Sequence, residues 1–115
     1  AAAGEWEKRD AGIVKVLILS QPMMHDWNEH LLEQFNTYRL DSTIQILFKA
    51  HPLQDDEEIE AYVPKIQSLG GVVIDKRENI HRTIIQADLV VGYFSTALEE
   101  AISLGVPAVS YTHLT

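Results

Sequence analysis

The sequence predicts an α/β fold in which helices cover both faces of a parallel sheet of about five strands. Two observations support this prediction. Short apolar runs rich in β-branched residues recur along the chain, and amphipathic segments with helix-capping residues separate them. Such an alternation gives right-handed βαβ units and hence a parallel sheet. The chain has 115 residues, which is enough for one domain with a substantial core and too few for two.

Five apolar runs predict the strands. The run 13–19 is nearly continuous in apolar residues, a pattern typical of a strand that is buried on both faces. The predicted strands span residues 13–19, 43–49, 72–75, 89–93 and 106–110. We expect the first strand to lie centrally in the sheet, as in Rossmann-like domains.

The segments between these runs predict four helices. Asp26 is expected to cap a first helix that extends to Tyr38, and the acidic run 55–58 predicts the start of a second. Pro64 lies inside that second helix, where it is expected to kink or break it, and Gly70-Gly71 ends it. Asn79 is expected to cap a short third helix, and a fourth is predicted over 96–104.

Composition narrows the classes of function. The net charge of −8 argues against a nucleic-acid-binding surface, which needs clustered Lys and Arg. The chain has no cysteine, so it has no disulfides, and a cytoplasmic location is expected. No apolar run approaches the ~20 residues that cross a bilayer. We expect 1–12 to be a linker, 13–111 to be the domain and 112–115 to be a tail of non-native origin.

Polar residues follow several predicted strands, at the edge where ligands bind in parallel α/β sheets. Ser20 follows the first strand, Lys49-Ala50-His51-Pro52 ends the second, and Ser95-Thr96 follows the fourth. Each feature alone is more often structural, since Ser-Thr caps helices and His-Pro makes turns. Together they predict a nucleotide-binding crevice. The histidine spacing does not suggest a metal site.

Two blocks of sequence resemble a known family. The first is Ile46-Leu47-Phe48-Lys49-Ala50-His51-Pro52, and the second runs from Asp88 to Pro107 and contains Gly-Tyr-Phe-Ser-Thr-Ala-Leu-Glu-Glu-Ala. They resemble the donor-binding C-terminal half of bacterial surface-polysaccharide glycosyltransferases of the two-Rossmann-domain type. This group includes capsule biosynthesis proteins and sialyl- and polysialyltransferases. The resemblance extends over residues 13–111.

The resemblance implies roles for individual residues. His51 would contact the phosphate of a donor nucleotide, Pro52 would fix the turn, and Ser95 and Thr96 would add hydroxyl and amide donors. Glu100 would accept hydrogen bonds from ribose hydroxyls. Lys49 and Ser20 complete the expected phosphate-binding set. The expected donor is a CMP-, CDP- or UDP-activated sugar, with no further cofactor and no metal.

The resemblance also implies that an N-terminal acceptor domain precedes this chain and supplies the catalytic base. The fragment alone is then expected to be inactive, and the full-length protein is expected to be cytoplasmic or peripheral to the inner membrane. Three alternatives stay open: a CDP-glycerol glycerophosphotransferase, a fragment like the UDP-sugar 2-epimerases, and a noncatalytic Rossmann-like module.

Overall fold

A computed structural model describes residues 13–37, 44–93 and 96–110. These residues form an α/β fold with one parallel sheet, which confirms the predicted class. The strands are β1 (Val14–Leu19), β2 (Ile44–Lys49), β3 (Val72–Ile74), β4 (Leu89–Gly92) and β5 (Ala108–Ser110). The helices are α1 (His25–Thr37), α2 (Asp56–Ser68), α3 (Ile80–Ile85) and α4 (Thr96–Ser103).

The strand order β3-β2-β1-β4-β5 places the first strand at the centre, as predicted. Ile18 of β1 is in register with Phe48 of β2 on one side and with Val91 of β4 on the other. All four strand pairs are parallel. The carboxyl ends of all five strands therefore lie along one edge of the sheet, which is the binding edge of Rossmann-like domains.

The two faces of the sheet carry separate apolar cores, because side chains alternate along each strand. Val16 and Ile18 of β1 face the core that α1 and α2 cover. Leu17 and Leu19 face the core that α3 and α4 cover. The result is the expected three-layer arrangement, with α1 and α2 on one face and α3 and α4 on the other.

The helix starts confirm the predicted Asn79 cap and the helix start predicted in the run 55–58, and they correct the expected Asp26 cap. The Asp55 carboxylate accepts from the Glu58 amide at 2.8 Å, and the Asn79 side chain accepts from the Arg82 amide at 3.1 Å. The prediction that Asp26 caps α1 is wrong, because α1 begins at His25 and Asp26 lies in its first turn. The Met24 carbonyl accepts the first helical bond, from the amide of Asn28 at 3.0 Å.

The helix α2 continues through Pro64, so the expected break does not occur there. It ends at Gly70-Gly71 as predicted. Gly70 has φ of 70° and its amide donates to Gln67 O, while the Gly71 amide donates to Ile66 O, both at 2.9 Å. This pair of bonds is a Schellman motif, which suits a glycine at the left-handed position.

The strand β5 is shorter than the predicted run 106–110, because Val106 belongs to the end of α4. The Val106 amide donates to Ala101 O at 2.9 Å, and the Gly105 amide donates to Ile102 O at 3.0 Å. This is a second Schellman motif, and it withdraws the Val106 amide from the sheet. Val106 is nevertheless buried, which explains why its apolar character suggested a strand.

The other strand limits differ from the predictions by one residue at most where they can be compared. Asp75 lies beyond β3 because its carboxylate accepts from the Arg77 amide at 2.8 Å, which makes a turn. The predicted linker 1–12, the tail 112–115, Tyr38 and Thr43 lie outside the described residues. No helix in the described ranges is long and apolar enough to cross a membrane.

The end of α2 provides a test of the fold. A Cβ at Gly71 would lie 2.9 Å from Ile66 Cγ2 and 3.0 Å from the backbone oxygen of Ile46, whereas a Cβ at Gly70 meets nothing within 4 Å. Gly70→Ala should therefore cost about 1 kcal/mol of unfolding free energy for its left-handed backbone. Gly71→Ala should cost about 2–3 kcal/mol because the clash is with fixed backbone. Urea denaturation measures both, and equal costs would contradict the register of α2 against β2.

Candidate functional site

A cleft of about 490 Å³ lies at the carboxyl edge of the sheet. Its lining comes from the segments that follow β1, β2 and β3 and from the first turns of α3 and α4. The lining residues are Leu19, Ser20, Gln21, Lys49, Ala50, His51, Pro52, Lys76, Arg77, Glu78, Ile80 and Ala97. Four residues that the sequence predicts as phosphate ligands, Ser20, Lys49, His51 and Pro52, thus share one cleft.

Ser20 is the first residue beyond β1, and the structure buries it. Its amide donates to Lys49 O at 3.0 Å, which continues the β1–β2 ladder by one residue. The residue is only 2% exposed, and its Oγ has no hydrogen-bond partner among the described residues. A buried hydroxyl without a partner loses its hydration without compensation. Ser20 therefore lines the cleft, but its Oγ is itself shielded, so a ligand in the cleft would reach the hydroxyl only after a rotation of the side chain.

His51 is held by hydrogen bonds to both its backbone and its ring. Its amide donates to Gln54 Oε1 at 2.7 Å, and its carbonyl accepts from the Gln54 amide at 3.0 Å. The ring Nδ1 accepts from the Leu53 amide at 3.0 Å. Because Nδ1 acts as an acceptor, the neutral ring carries its proton on Nε2. No described residue bonds Nε2, so this N–H is available to a ligand.

Burial lowers the pKa of His51 below its usual value, and the nearby Lys49 charge lowers it further. Both effects favour the neutral ring, which is the form that can accept from the Leu53 amide. At neutral pH, His51 therefore presents a neutral N–H donor rather than a cation.

Lys49 lines the cleft, but its ammonium is already engaged. Lys49 is 4% exposed, and Nζ donates to the carbonyls of Lys76 at 2.9 Å, Asp75 at 3.3 Å and Ala50 at 3.5 Å. Burial lowers the pKa of this ammonium, while the charges of Asp75 and Glu78 act in the opposite direction. Lys49 thus ties the end of β2 to the loop after β3.

Two cations of the cleft, Lys76 and Arg77, were not among the predicted ligands. Lys76 Nζ donates to Gln54 O at 2.9 Å and lies 3.3 Å from an Asp56 oxygen. Arg77 forms a two-pronged contact with Asp75, at 3.1 and 3.2 Å, which lowers the pKa of Asp75 to about 2. The sequence signal for both was their position directly after the third predicted strand.

The structure brings the start of α4 to the same cleft, through Ala97. Thr96 is the first residue of α4, but its side chain lies outside the description, as does all of Ser95. Glu100 lies one turn further along α4, and its Oε2 is 2.6 Å from His81 Nε2 of α3. Glu100 is not part of the described lining, and its buried Oε2 approaches His81 without the geometry of a hydrogen bond.

A buried polar network lies behind the cleft, and sequence reasoning missed it. The Asn28 side chain accepts from the Gln21 amide at 3.0 Å and donates to the Gln21 carbonyl at 2.9 Å. Its Nδ2 also donates to the Tyr62 hydroxyl at 3.2 Å. Burial raises the pKa of Tyr62 to about 12, so its hydroxyl keeps its proton. No local pattern marks Asn28 or Tyr62, because their partners lie on other elements.

Comparison of the chain with protein families, with curated proteins and with solved structures found no match.

The ring of His51 provides a test of this geometry. Because its folded-state pKa lies below the unfolded value of about 6.5, the neutral ring stabilises the fold fully above that pH. This stabilisation should be lost as the pH falls through the lower, folded-state value. NMR titration of the ring nitrogens should give a midpoint below 6.5, with the proton on Nε2 at pH 7.5. A midpoint at or above 6.5 would contradict the described Nδ1 contact.

Proposed function

We propose that this chain is the donor-nucleotide-binding half of a glycosyltransferase of surface-polysaccharide synthesis, and that the cleft holds the donor phosphate. One observation carries the proposal: the Nε2–H of His51, which no described residue bonds, belongs to the same cleft as Ser20, whose Oγ has no partner among the described residues. The position at the carboxyl edge of a parallel sheet supports it, because ligands of Rossmann-like domains bind there. The sequence resemblance supplies the class of donor.

The donors of the cleft suit the chemistry of sugar transfer. As the bond between sugar and phosphate breaks, negative charge grows on the departing nucleotide. Hydrogen-bond donors that are already in place stabilise this charge without reorganising. His51 meets this requirement because its backbone and its Nδ1 are both fixed by neighbouring groups. The backbone of Ser20 is fixed by the bond of its amide to β2, so only its hydroxyl would have to rotate toward the phosphate.

The exposed cations of the cleft would exchange their present carboxylate contacts for contacts with the donor phosphate. Arg77 is largely exposed, with 84% of its side chain accessible, and it pairs with the half-exposed Asp75. Such a surface pair is weak, so a phosphate could replace the carboxylate at little cost. Lys49 would act indirectly, by holding the loop that carries Lys76 and Arg77. Ser95 and Thr96 stay predicted donors at the start of α4.

The proposed role of Glu100, binding the ribose hydroxyls, requires a change in its present contact. To accept from ribose hydroxyls it would have to share or leave its contact with His81. The acceptor site and the catalytic base would belong to an N-terminal domain, so this chain alone should bind a nucleotide weakly and transfer no sugar.

Calorimetric titration of CMP, CDP and UDP tests the proposal on the chain itself. The variants are His51→Ala, Ser20→Ala and the double change Ser95→Ala/Thr96→Ala. A hydrogen bond to a charged phosphate contributes roughly 1.5–3 kcal/mol, so each variant should bind at least ~10-fold more weakly than the wild type. The control is Gln67→Ala, on the exposed surface of α2 away from the cleft, which should bind as the wild type does.

Unfolding curves of each variant separate loss of binding from loss of structure. Equal affinity in the wild type, His51→Ala and Ser20→Ala would contradict the proposed site. Reduced stability with unchanged affinity in Ser95→Ala/Thr96→Ala would show that these two residues only cap α4.

A further inference from the structure

The hydroxyl of Tyr62 is a buried polar group in the core between the sheet and the helices α1 and α2. The Tyr62 residue is fully buried and its ring packs against Phe48. Its hydroxyl contacts three side chains: Asn28 Nδ2 at 3.2 Å, His25 Nδ1 at 2.8 Å and Glu58 Oε2 at 3.4 Å. A polar group at such a position needs partners to offset its desolvation.

On one side of Tyr62, the orientation of the Asn28 amide is fixed. The Gln21 amide donates to Asn28 Oδ1, so the other end of the side chain must be the NH₂ group. That NH₂ donates to the Gln21 carbonyl and to the Tyr62 oxygen. Asn28 thus links the loop after β1, which lines the cleft, to the Tyr62 hydroxyl.

On the other side, Glu58 and Gln54 continue the line of hydrogen bonds. Gln54 Nε2 donates to Glu58 Oε2 at 2.6 Å, which leaves Gln54 Oε1 to accept from the His51 amide at 2.7 Å. The Gln54 side chain is buried with the rest of its residue. The Tyr62 hydroxyl has a single proton, so the line from the backbone of Gln21 to the backbone of His51 is complete when His25 Nδ1 donates to the Tyr62 oxygen and the hydroxyl proton goes to Glu58.

We propose that Tyr62 is a positioning residue, whose hydroxyl links the two loops that carry Ser20 and His51 and so sets the spacing of the two donors across the cleft. Residues in contact within one hydrogen-bond network are energetically coupled. The role of the spacing in phosphate binding rests on the proposed function. The mechanical link between the two loops does not, and it can be measured without a ligand.

His25 is a partner of the same hydroxyl but lies outside this line. Its side chain is 53% exposed, and its Nε2 is 3.3 Å from the carboxylate of Glu29, which also binds Lys65. If His25 is removed, the single proton of the hydroxyl can still be donated to Glu58, and Asn28 still donates to the oxygen. His25→Ala therefore removes one bond from Tyr62 and leaves the link intact.

This makes Tyr62→Phe and His25→Ala a matched pair for the experiment. The rate of amide hydrogen exchange at His51 measures the strength of its bond to Gln54. Titration with CMP measures the affinity of the cleft for a nucleotide. Tyr62→Phe should raise the exchange rate of the His51 amide by roughly 5-fold or more and weaken CMP binding by a similar factor, while His25→Ala should match the wild type in both. A merely structural role would lower the midpoint of global unfolding in both variants and move neither readout.

Equal His51 exchange rates in Tyr62→Phe and His25→Ala would overturn the proposal. If the wild type binds none of the three nucleotides, the proposed function fails. The exchange rate at His51 still shows whether Tyr62 links the two loops. Glu58→Leu cuts the same line near the protein surface and leaves the Asp55 cap of α2 in place, because that cap uses the Glu58 backbone. If Tyr62→Phe does not fold, Glu58→Leu should show the same faster exchange at His51, and a wild-type rate in it would overturn the link.

Discussion

Both apolar cores and the candidate cleft are built around the central strand β1. The strand is paired on both edges, with β2 and with β4, and its side chains supply both apolar cores. A strand in this position must be apolar on both faces, which is why its sequence is nearly continuous in Val, Leu and Ile. Its end is equally constrained, because the ladder continues to the Ser20 amide and buries the Ser20 hydroxyl without a described partner.

The polar groups of the candidate site are held by the fold rather than by one another. His51 is fixed by Gln54 and by the Leu53 amide. The ammonium of Lys49 is hydrogen-bonded to the loop after β3. A pocket of this kind is already organised before a ligand arrives, so little ordering entropy opposes binding. The buried line through Asn28 and Tyr62 extends this organisation across the sheet, from the loop after β1 to the loop after β2.

Local signals in the sequence were sufficient for most of the fold. Apolar runs marked the five strands, the strand order of Rossmann-like domains predicted the central place of β1, and the run 55–58, Asn79 and Gly70-Gly71 marked helix limits correctly. The errors have local physical causes. Val106 has the apolar character of a strand residue, but its amide closes the end of α4. Asp26 is a good cap by type, but the Met24 carbonyl accepts the first helical bond, so the helix begins two residues before the position where Asp26 could act as its cap.

The candidate site was only partly predictable, for a different reason. Residues that follow strands could be found, because the carboxyl ends of parallel strands must share an edge. Which of these side chains are already hydrogen-bonded could not be predicted, because their bonds join segments that are distant in the sequence. Lys49 has the chemistry of a phosphate ligand, and only the position of the loop after β3 shows that carbonyls occupy its ammonium. Asn28, Gln54 and Tyr62 gave no signal at all.

NMR mapping of CMP on the ¹⁵N-labelled chain shows directly whether a phosphate binds at the carboxyl ends of the strands, with cytidine as the control that lacks a phosphate. CMP should shift the amide signals of Ser20, Gln21, His51 and Ala97 around the cleft, and cytidine should shift them much less. Shifts confined to the opposite edge of the sheet, or equal shifts with cytidine and CMP, would contradict a phosphate site at the carboxyl ends of the strands.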